Sequence, residues 1–160
     1  MKNGIKLTLC ALAMCAIVFA CSKEDDEKKD ENTATTGCVS GASFCMTYDG
    51  TVKSGTAKLF VANNTRFRIF WENTTANGFE QVEMDIYGNA VGTFTVDTTK
   101  LAGTAEFEYF STNPQALEEG VTGTVNVSSF DPTAGASGTF TLTTANGVKI
   151  TNGNFINAKP

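Results

Sequence analysis

Apolar and polar residues alternate in short runs from residue 44 to the end of the chain. This alternation is the pattern of half-buried β-strands, and the runs are separated by Gly, Asn, Asp and Thr, which favour turns. No stretch has sustained helical periodicity, although 114–119 is compatible with one helical turn. We therefore predict strands near 44–48, 56–62, 65–72, 79–87, 91–97, 103–110, 121–130, 137–144 and 147–156.

The alternation also predicts how strands pair. In a hairpin of 65–72 with 79–87, pairing Phe67 with Met84 brings apolar residues together on one face, whereas a one-residue shift opposes them to charges. The same register pairs Arg66 with Asp85 and Arg68 with Glu83 on the other face. Each exposed pair contributes about 0.2–1 kcal/mol, so we interpret these arginines as parts of the sheet surface rather than anion-binding residues.

Two further hairpins are expected, one of 91–97 with 103–110 and one of 137–144 with 147–156. The second would turn at Asn146-Gly147, a strong hairpin signal. Clean alternation with short turns indicates antiparallel strands with one face in water. About eight to nine strands predict an all-β fold, either a single antiparallel β-sandwich or a small β-barrel.

Composition narrows the possible functions. The chain contains no histidine, which removes the commonest general base and the commonest transition-metal ligand. Two of the twelve basic residues and none of the seventeen acidic residues precede Cys21, so the net charge from there on is −7. An acidic protein repels phosphate backbones, so nucleic acid is not an expected partner. No cofactor and no metal are expected.

The first 20 residues have the proportions of a secretory signal peptide. Lys2 and Lys6 lead into an apolar run, 7–20, that is shorter than the roughly 20 residues of a transmembrane helix. The run ends in Val18-Phe19-Ala20-Cys21, which resembles the lipobox of bacterial lipoproteins. This resemblance implies cleavage before Cys21 and a lipid on its thiol, so acyl chains would hold the chain on a membrane. An uncleaved membrane anchor is the alternative.

A charged segment follows Cys21. Nine of the ten residues at 22–31 are charged, so no core can form there, and we predict a solvated tether over 21–36. The run Cys-Ser-Lys-Glu-Asp-Asp at its start resembles the export signal of Bacteroidota lipoproteins. This resemblance implies transport to the outer membrane, with a single β domain at 37–160 facing the cell exterior. A plain spacer is the alternative.

Cys38 and Cys45 remain in the domain once the signal peptide is removed. Beyond the inner membrane the compartment is oxidising, which favours a disulfide between them. Closing this short loop would stabilise the fold by about 2–3 kcal/mol on the chain-entropy account. Free thiols are an alternative, and a zinc site is a weaker one because two thiolates without histidine make an incomplete ligand set.

The last strands carry a further resemblance. Residues 137–140 (SGTF) and 150–155 (ITNGNF) resemble the closing strands of small uncharacterised surface lipoproteins of Bacteroidota, which share a domain of unknown function. This resemblance implies an all-β fold at the cell surface and brings no activity. In structural terms, glycines are expected where strands bend or bulge, and phenylalanines in the core. The residues concerned are Gly138, Gly153, Phe140 and Phe155.

Aromatic residues are the candidate ligand-binding groups. Phe70, Trp71 and Tyr87 belong to a set of aromatic residues larger than one alternating face can bury, and an exposed aromatic patch suits a glycan- or protein-binding surface. Burial in the core is the alternative for each of them. A surface binding module is the preferred function, and a structural or assembly component of an envelope complex is the alternative.

An enzyme is not expected, and no catalytic residue is assigned. The chain lacks the motifs of nucleophile elbows, phosphate loops and zinc hydrolases. A hydrolase would need paired acids that converge in a pocket. The candidate pairs are Glu83 with Asp85, Glu106 with Glu108, and Glu118 with Glu119. Asp49 and Asp131 could hold calcium, but Asp beside Gly or Pro is more often turn chemistry.

Replacing Cys21 tests the lipid anchor. Cys21→Ala leaves no thiol to accept the lipid, so metabolic labelling with a fatty-acid analogue should disappear and the protein should leave the membrane fraction. Neutralising the acids at 24–27 should preserve labelling but protect the domain from protease added to intact cells. Labelling of Cys21→Ala would contradict the anchor, and unchanged proteolysis of the neutral tether would contradict the export signal.

Overall fold

The structure, a computed structural model, describes residues 38–63 and 65–160. These residues belong to one compact unit, Thr33–Pro160. The predicted signal peptide (1–20), the lipidated Cys21 and the tether (21–36) lie outside the described residues. No helix in the described part of the chain is long and apolar enough to cross a membrane.

The described chain is all-β, as predicted, and its strands form one sheet in the order β2-β1-β10-β9-β8-β6-β7-β5-β4-β3. The strands are β1 (Phe44–Tyr48), β2 (Thr51–Gly55), β3 (Ala57–Ala62), β4 (Arg66–Thr75), β5 (Gly78–Ile86), β6 (Gly92–Val96), β7 (Thr104–Thr112), β8 (Gln115–Asp131), β9 (Gly135–Thr144) and β10 (Lys149–Ala158). Most ladders are antiparallel, while β6 and β7 run parallel.

Two elements differ from the predicted ones. Strand β2 was not predicted, because its sequence, Thr-Val-Lys-Ser-Gly, has no apolar alternation to reveal it. The helical turn with which 114–119 is compatible does not form, because β8 begins at Gln115 and pairs there with β7. Pairing between strands overrides the local helix propensity of a segment this short.

Two predicted pairings are also wrong. Phe67 pairs with Ile86 rather than Met84, a shift of two residues that keeps every side chain on its predicted face. The predicted hairpin of β6 with β7 does not form, since β6 pairs antiparallel with β8 and meets β7 only in a short parallel ladder. Alternation assigns the faces of a strand but does not choose its neighbour. The hairpin of β9 with β10 is confirmed.

The sheet folds back on itself around one core. Its inner face carries a continuous cluster of buried apolar side chains from nine of the ten strands. Rings from distant strands meet there, with centroids 5.2 Å apart for Phe44 and Trp71 and 4.4 Å apart for Phe67 and Phe130. The last strand in the order, β3, reaches β10, where the Leu59 N–H donates to the Lys159 carbonyl over 2.6 Å. One face of the sheet therefore supplies the whole core.

Two glycines lie beneath aromatic rings in this core. Gly138 pairs with Phe155 and Gly153 pairs with Phe140, so each ring covers the glycine of the neighbouring strand. A Cβ on either glycine would meet the facing ring at 2.5 Å. Register shifts in β10 lie on either side of the segment from Gly153 to Phe155. The predicted burial of the two phenylalanines is thus confirmed, and the glycines are needed because the rings occupy their side-chain space.

The predicted disulfide is confirmed. The sulfur atoms of Cys38 and Cys45 are within bonding distance, and their Cα atoms are 5.9 Å apart. Cys45 is buried in β1, so the bridge ties the segment that precedes the sheet to one of its strands.

Candidate functional site

A groove crosses the outer face of β3, β4 and β5. It has a volume of about 370 Å³. Its walls are the side chains that alternate with core residues along these strands, and we call it the outer-face groove. The lining residues are Phe60, Ala62, Arg66, Arg68, Phe70, Glu83 and Asp85.

An ion-pair network fills the centre of the outer-face groove. The Arg68 guanidinium binds Asp85 with two hydrogen bonds, Nε to Oδ1 at 2.9 Å and Nη2 to Oδ2 at 2.7 Å. Arg68 also pairs with Glu83, and Arg66 Nη1 lies 3.5 Å from Asp85 Oδ2. The hydrogen bonds to Asp85 are the main reason that the pKa of Arg68 is raised. This bidentate pair of hydrogen bonds fixes the geometry of the network, as is usual for arginine with a carboxylate.

The predicted ion pairs form despite the shifted register. Arg68 lies directly opposite Asp85 and reaches Glu83 diagonally, while Arg66 reaches Asp85 diagonally. Long side chains can span a diagonal of about 7–8 Å, so a two-residue shift preserves the contacts.

Aromatic side chains form one end of the outer-face groove. Phe60 is 53% exposed on β3, and its ring meets Phe70 edge-on with centroids 6.0 Å apart. The Lys58 Nζ lies 5.8 Å from the Phe70 ring centroid. Beyond the other end, the Arg66 guanidinium carbon lies 5.8 Å from the Tyr87 ring centroid. Of the predicted ligand-binding aromatics, the structure thus places Phe70 in the groove and Tyr87 beside it.

The assignment of Trp71 as a ligand-binding residue is wrong. Its side chain is only 1% exposed, because position 71 alternates with Phe67 and Ile69 on the inner face. Gly55 of β2 makes room for it, since a Cβ there would lie 2.5 Å from the Trp71 Nε1. Among the described residues, none accepts a hydrogen bond from this Nε1. Trp71 is therefore a core residue that packs against the backbone of β2.

Acidic side chains do converge next to the outer-face groove, as a hydrolase would require. Glu83, Asp85, Glu106 and Glu108 line a depression of about 160 Å³ together with Arg66, Arg68 and Lys100. Most of these acids are held by cations or donors: Lys100 Nζ lies 3.1 Å from Glu106 Oε1, and the Tyr87 hydroxyl donates to Glu106 Oε2 over 3.1 Å. The carboxylate oxygens of these acids are therefore already bound to neighbouring side chains.

Glu108 is the exception in this depression. It lies directly opposite Glu83 on one side and Glu119 on the other, and within the described ranges it forms no ion pair. Its pKa is raised, first by burial and then by the negative charges of Glu106, Glu83 and Glu119. Like charges directly opposite each other on neighbouring strands destabilise a sheet.

The third candidate pair, Glu118 with Glu119, does not converge, because neighbouring residues of a strand face opposite sides. Glu119 faces outward, whereas Glu118 is 6% exposed on the inner face. Its carboxylate accepts hydrogen bonds from the Thr144 hydroxyl at 2.6 Å and the Asn146 amide at 3.2 Å. Alternation could have revealed this position, since Glu118 occupies a core-facing register that would otherwise be apolar.

Of the two candidate calcium residues, Asp49 lies in the turn between β1 and β2, and Asp131 ends β8 just before a turn. One Asp131 oxygen, Oδ1, accepts hydrogen bonds from the Thr133 and Ala134 backbone N–H groups, each at 2.8 Å. The hydrogen bond from the Thr133 hydroxyl, and then these two backbone bonds, lower the pKa of Asp131. Within residues 38–63 and 65–160, no three acids or cysteines are grouped in a way that could hold a metal ion.

Comparison with protein-family models, curated proteins and solved structures found no match to this chain.

Replacing Glu108 tests the effect of opposed carboxylates. Because the fold raises the pKa of Glu108, the protonated form is favoured in the folded state. Its contribution to stability is therefore present below the unfolded pKa of about 4.3 and lost as pH rises through the folded pKa. Glu108→Gln should raise the free energy of unfolding at neutral pH by about 0.2–1 kcal/mol and remove this pH dependence. Urea unfolding between acid and neutral pH measures both.

Glu72→Gln is the matched control for that measurement. Glu72 is also an exposed glutamate of the outer face, but its Oε1 accepts a hydrogen bond from Lys58 Nζ at 2.9 Å. Its replacement should leave the free energy of unfolding unchanged or slightly lower it. If both variants gained the same free energy of unfolding, the gain would come from the lower net charge of the protein and not from the opposed carboxylates around Glu108.

Proposed function

We propose that this chain is a lipid-anchored outer-membrane protein that presents a binding module to the cell exterior, with the outer-face groove as its ligand-binding surface. The lipobox-like sequence at Cys21 supports the lipid anchor. The acidic run after it supports the localisation at the outer membrane. The groove supports the binding role, since it is concave and combines apolar and charged groups.

The exposure of Phe60 carries the binding proposal. A ring that is 53% exposed beside a second phenylalanine gives the sheet no core contact of its own. In protein interfaces, aromatic and arginine side chains often contribute most of the binding free energy. They lie at the centre of the interface, and polar residues surround them. Here Arg66 and Arg68 supply the guanidinium groups, and Glu83 and Asp85 hold them at the centre of the groove.

A protein surface is the ligand that this combination favours. The groove is open, and its arginines are already paired with acids, so a partner gains mainly from covering the phenylalanines. A glycan is the second candidate, because ring faces with carboxylates nearby also suit sugar hydroxyls and C–H groups. A fixed role as an assembly component of an envelope complex is the alternative function. No catalytic role is proposed.

Site-specific photocrosslinking on intact cells tests the outer-face groove. A photoreactive phenylalanine at position 60 should form an adduct with an external ligand, whereas the same residue at the exposed position Thr151 on β10 should not. Arg66→Glu should reduce the adduct at position 60 by about tenfold, because it puts like charge beside Asp85 and alters the groove. Equal adducts from positions 60 and 151, or an adduct unaffected by Arg66→Glu, would refute the groove as the binding surface.

A further inference from the structure

At one end of the inner face, core-facing positions carry polar instead of apolar side chains. Glu80 precedes the buried Val82 by two residues, and Ser111 follows the buried Tyr109 by two. Glu118 of β8 lies opposite Tyr109. Turning charged groups toward a core costs free energy unless they are paired or hydrogen-bonded. Strands β5, β7 and β8 each place a polar side chain on the inner face at this end. This indicates that these residues have a role other than packing the core.

A second cavity opens at this end. It has a volume of about 220 Å³, and we call it the inner polar pocket. It lies on the opposite face of β5 and β7 from the outer-face groove. Its main polar and aromatic lining residues are Tyr48, Lys53, Glu80, Tyr109, Ser111 and Asn113.

A charged pair in the inner polar pocket offers a donor and an acceptor side by side. Glu80 Oε1 pairs with Lys53 Nζ and also accepts the hydrogen bond of the Tyr109 hydroxyl at 3.0 Å. No described residue donates to the other carboxylate oxygen, Oε2. The Lys53 ammonium carries three N–H donors, of which Glu80 uses one. Two adjacent hydroxyl groups could therefore bind here, one donating to Glu80 and one accepting from Lys53.

Two tyrosine rings give the inner polar pocket an aromatic wall. The Tyr48 and Tyr109 centroids are 4.4 Å apart, and the Tyr48 hydroxyl lies 3.5 Å from the buried Glu118 carboxylate, to which it donates. The pKa of each tyrosine is raised, mainly by burial, so both hydroxyls stay protonated. Each ring is thus oriented by a glutamate through its hydroxyl, and the partly exposed ring of Tyr48 remains available for apolar contact.

We propose that the inner polar pocket binds a single sugar ring, with vicinal hydroxyl groups on the Lys53–Glu80 pair and a C–H face against Tyr48. The volume is below the range of about 300–1,000 Å³ that drug-sized ligands occupy, which fits one ring rather than a chain. A charged ligand would have to separate Lys53 from Glu80, whereas a polyhydroxylated neutral ligand uses both. The sugar can be a free monosaccharide or the end of a glycan.

Saturation-transfer NMR with named sugars tests this proposal on the mature chain carrying Cys21→Ala. The panel contains glucose, galactose, mannose and N-acetylglucosamine, with lactose and cellobiose to present a ring at a chain end. At least one sugar should receive saturation, and it should shift backbone amides near 53, 80 and 111 but not those near 60 and 66. Saturation transfer to a monosaccharide identifies a site for a free sugar. Saturation transfer to a disaccharide alone identifies a site for the terminal ring of a glycan.

Substitutions then assign the site. Lys53→Met with Glu80→Leu replaces the charged pair by apolar groups of similar size, a change that folds often tolerate. It should weaken sugar binding by about tenfold or more, since hydrogen bonds to charged groups are lost. Thr151→Ala, at an exposed position on β10 outside both proposed sites, should bind the sugar as the wild type does.

Three results would overturn the proposal. They are no saturation of any sugar in the panel, binding that survives the Lys53→Met/Glu80→Leu change, and amide shifts confined to the outer-face groove. The amide shifts of the wild type decide the matter even where the double variant fails to fold. The first two results leave crosslinking from position 60 unaffected, and the third would assign the sugar to the outer-face groove, so the two proposals fail separately.

Discussion

One face of a single sheet supplies the whole core, and the rest of this structure depends on that constraint. Where facing positions on neighbouring strands compete for the same space in a close-packed core, one of the two side chains must be small. The reciprocal pairs Gly138 with Phe155 and Gly153 with Phe140 meet this constraint, since each ring takes the space above a glycine. In a close-packed interior, a ring cannot move without displacing its neighbours. A larger side chain at either glycine would therefore disturb the surrounding core.

Because the core is filled from one face, apolar and charged side chains are sorted onto opposite faces of the sheet. Aromatic and aliphatic side chains occupy the inner face, so charged residues are turned outward wherever the core is full. On β4 and β5 this produces the network of Arg66, Arg68, Glu83 and Asp85. Where the core ends, the inner face can turn polar, and the pocket around Glu80 forms there. The two proposed binding sites are thus two consequences of one packing arrangement.

The sequence predicts the faces of the strands better than their neighbours. Alternation correctly placed Phe67 and Ile69 inside and Arg68 outside. It could not distinguish registers that differ by two residues, because these leave every side chain on the same face. Nor could it find β2, in which Val52 is the single apolar side chain, or choose β8 over β7 as the main partner of β6.

The candidate site was predictable to a similar degree. The charge pairs of the outer face emerge from alternation alone, because long side chains tolerate a shifted register. Trp71 is buried because position 71 alternates with Phe67 and Ile69 on the inner face, so its position rather than its residue type indicates its role. The inner polar pocket has a signal in the sequence, since Glu80, Ser111 and Glu118 interrupt apolar positions. Their convergence depends on how β5, β7 and β8 are arranged, which no local pattern contains.

The free energy of unfolding of Gly153→Ala, measured in urea, tests the central claim most directly. If the ring of Phe140 requires a glycine beneath it, this variant should lose about 1–3 kcal/mol, as overpacked cores do. The exposed Thr151→Ala on the same strand should change stability by no more than about 0.5 kcal/mol. The loss should shrink when Phe140 is replaced by leucine in both backgrounds, because the two sites share one contact. A Gly153→Ala variant as stable as Thr151→Ala would contradict the account.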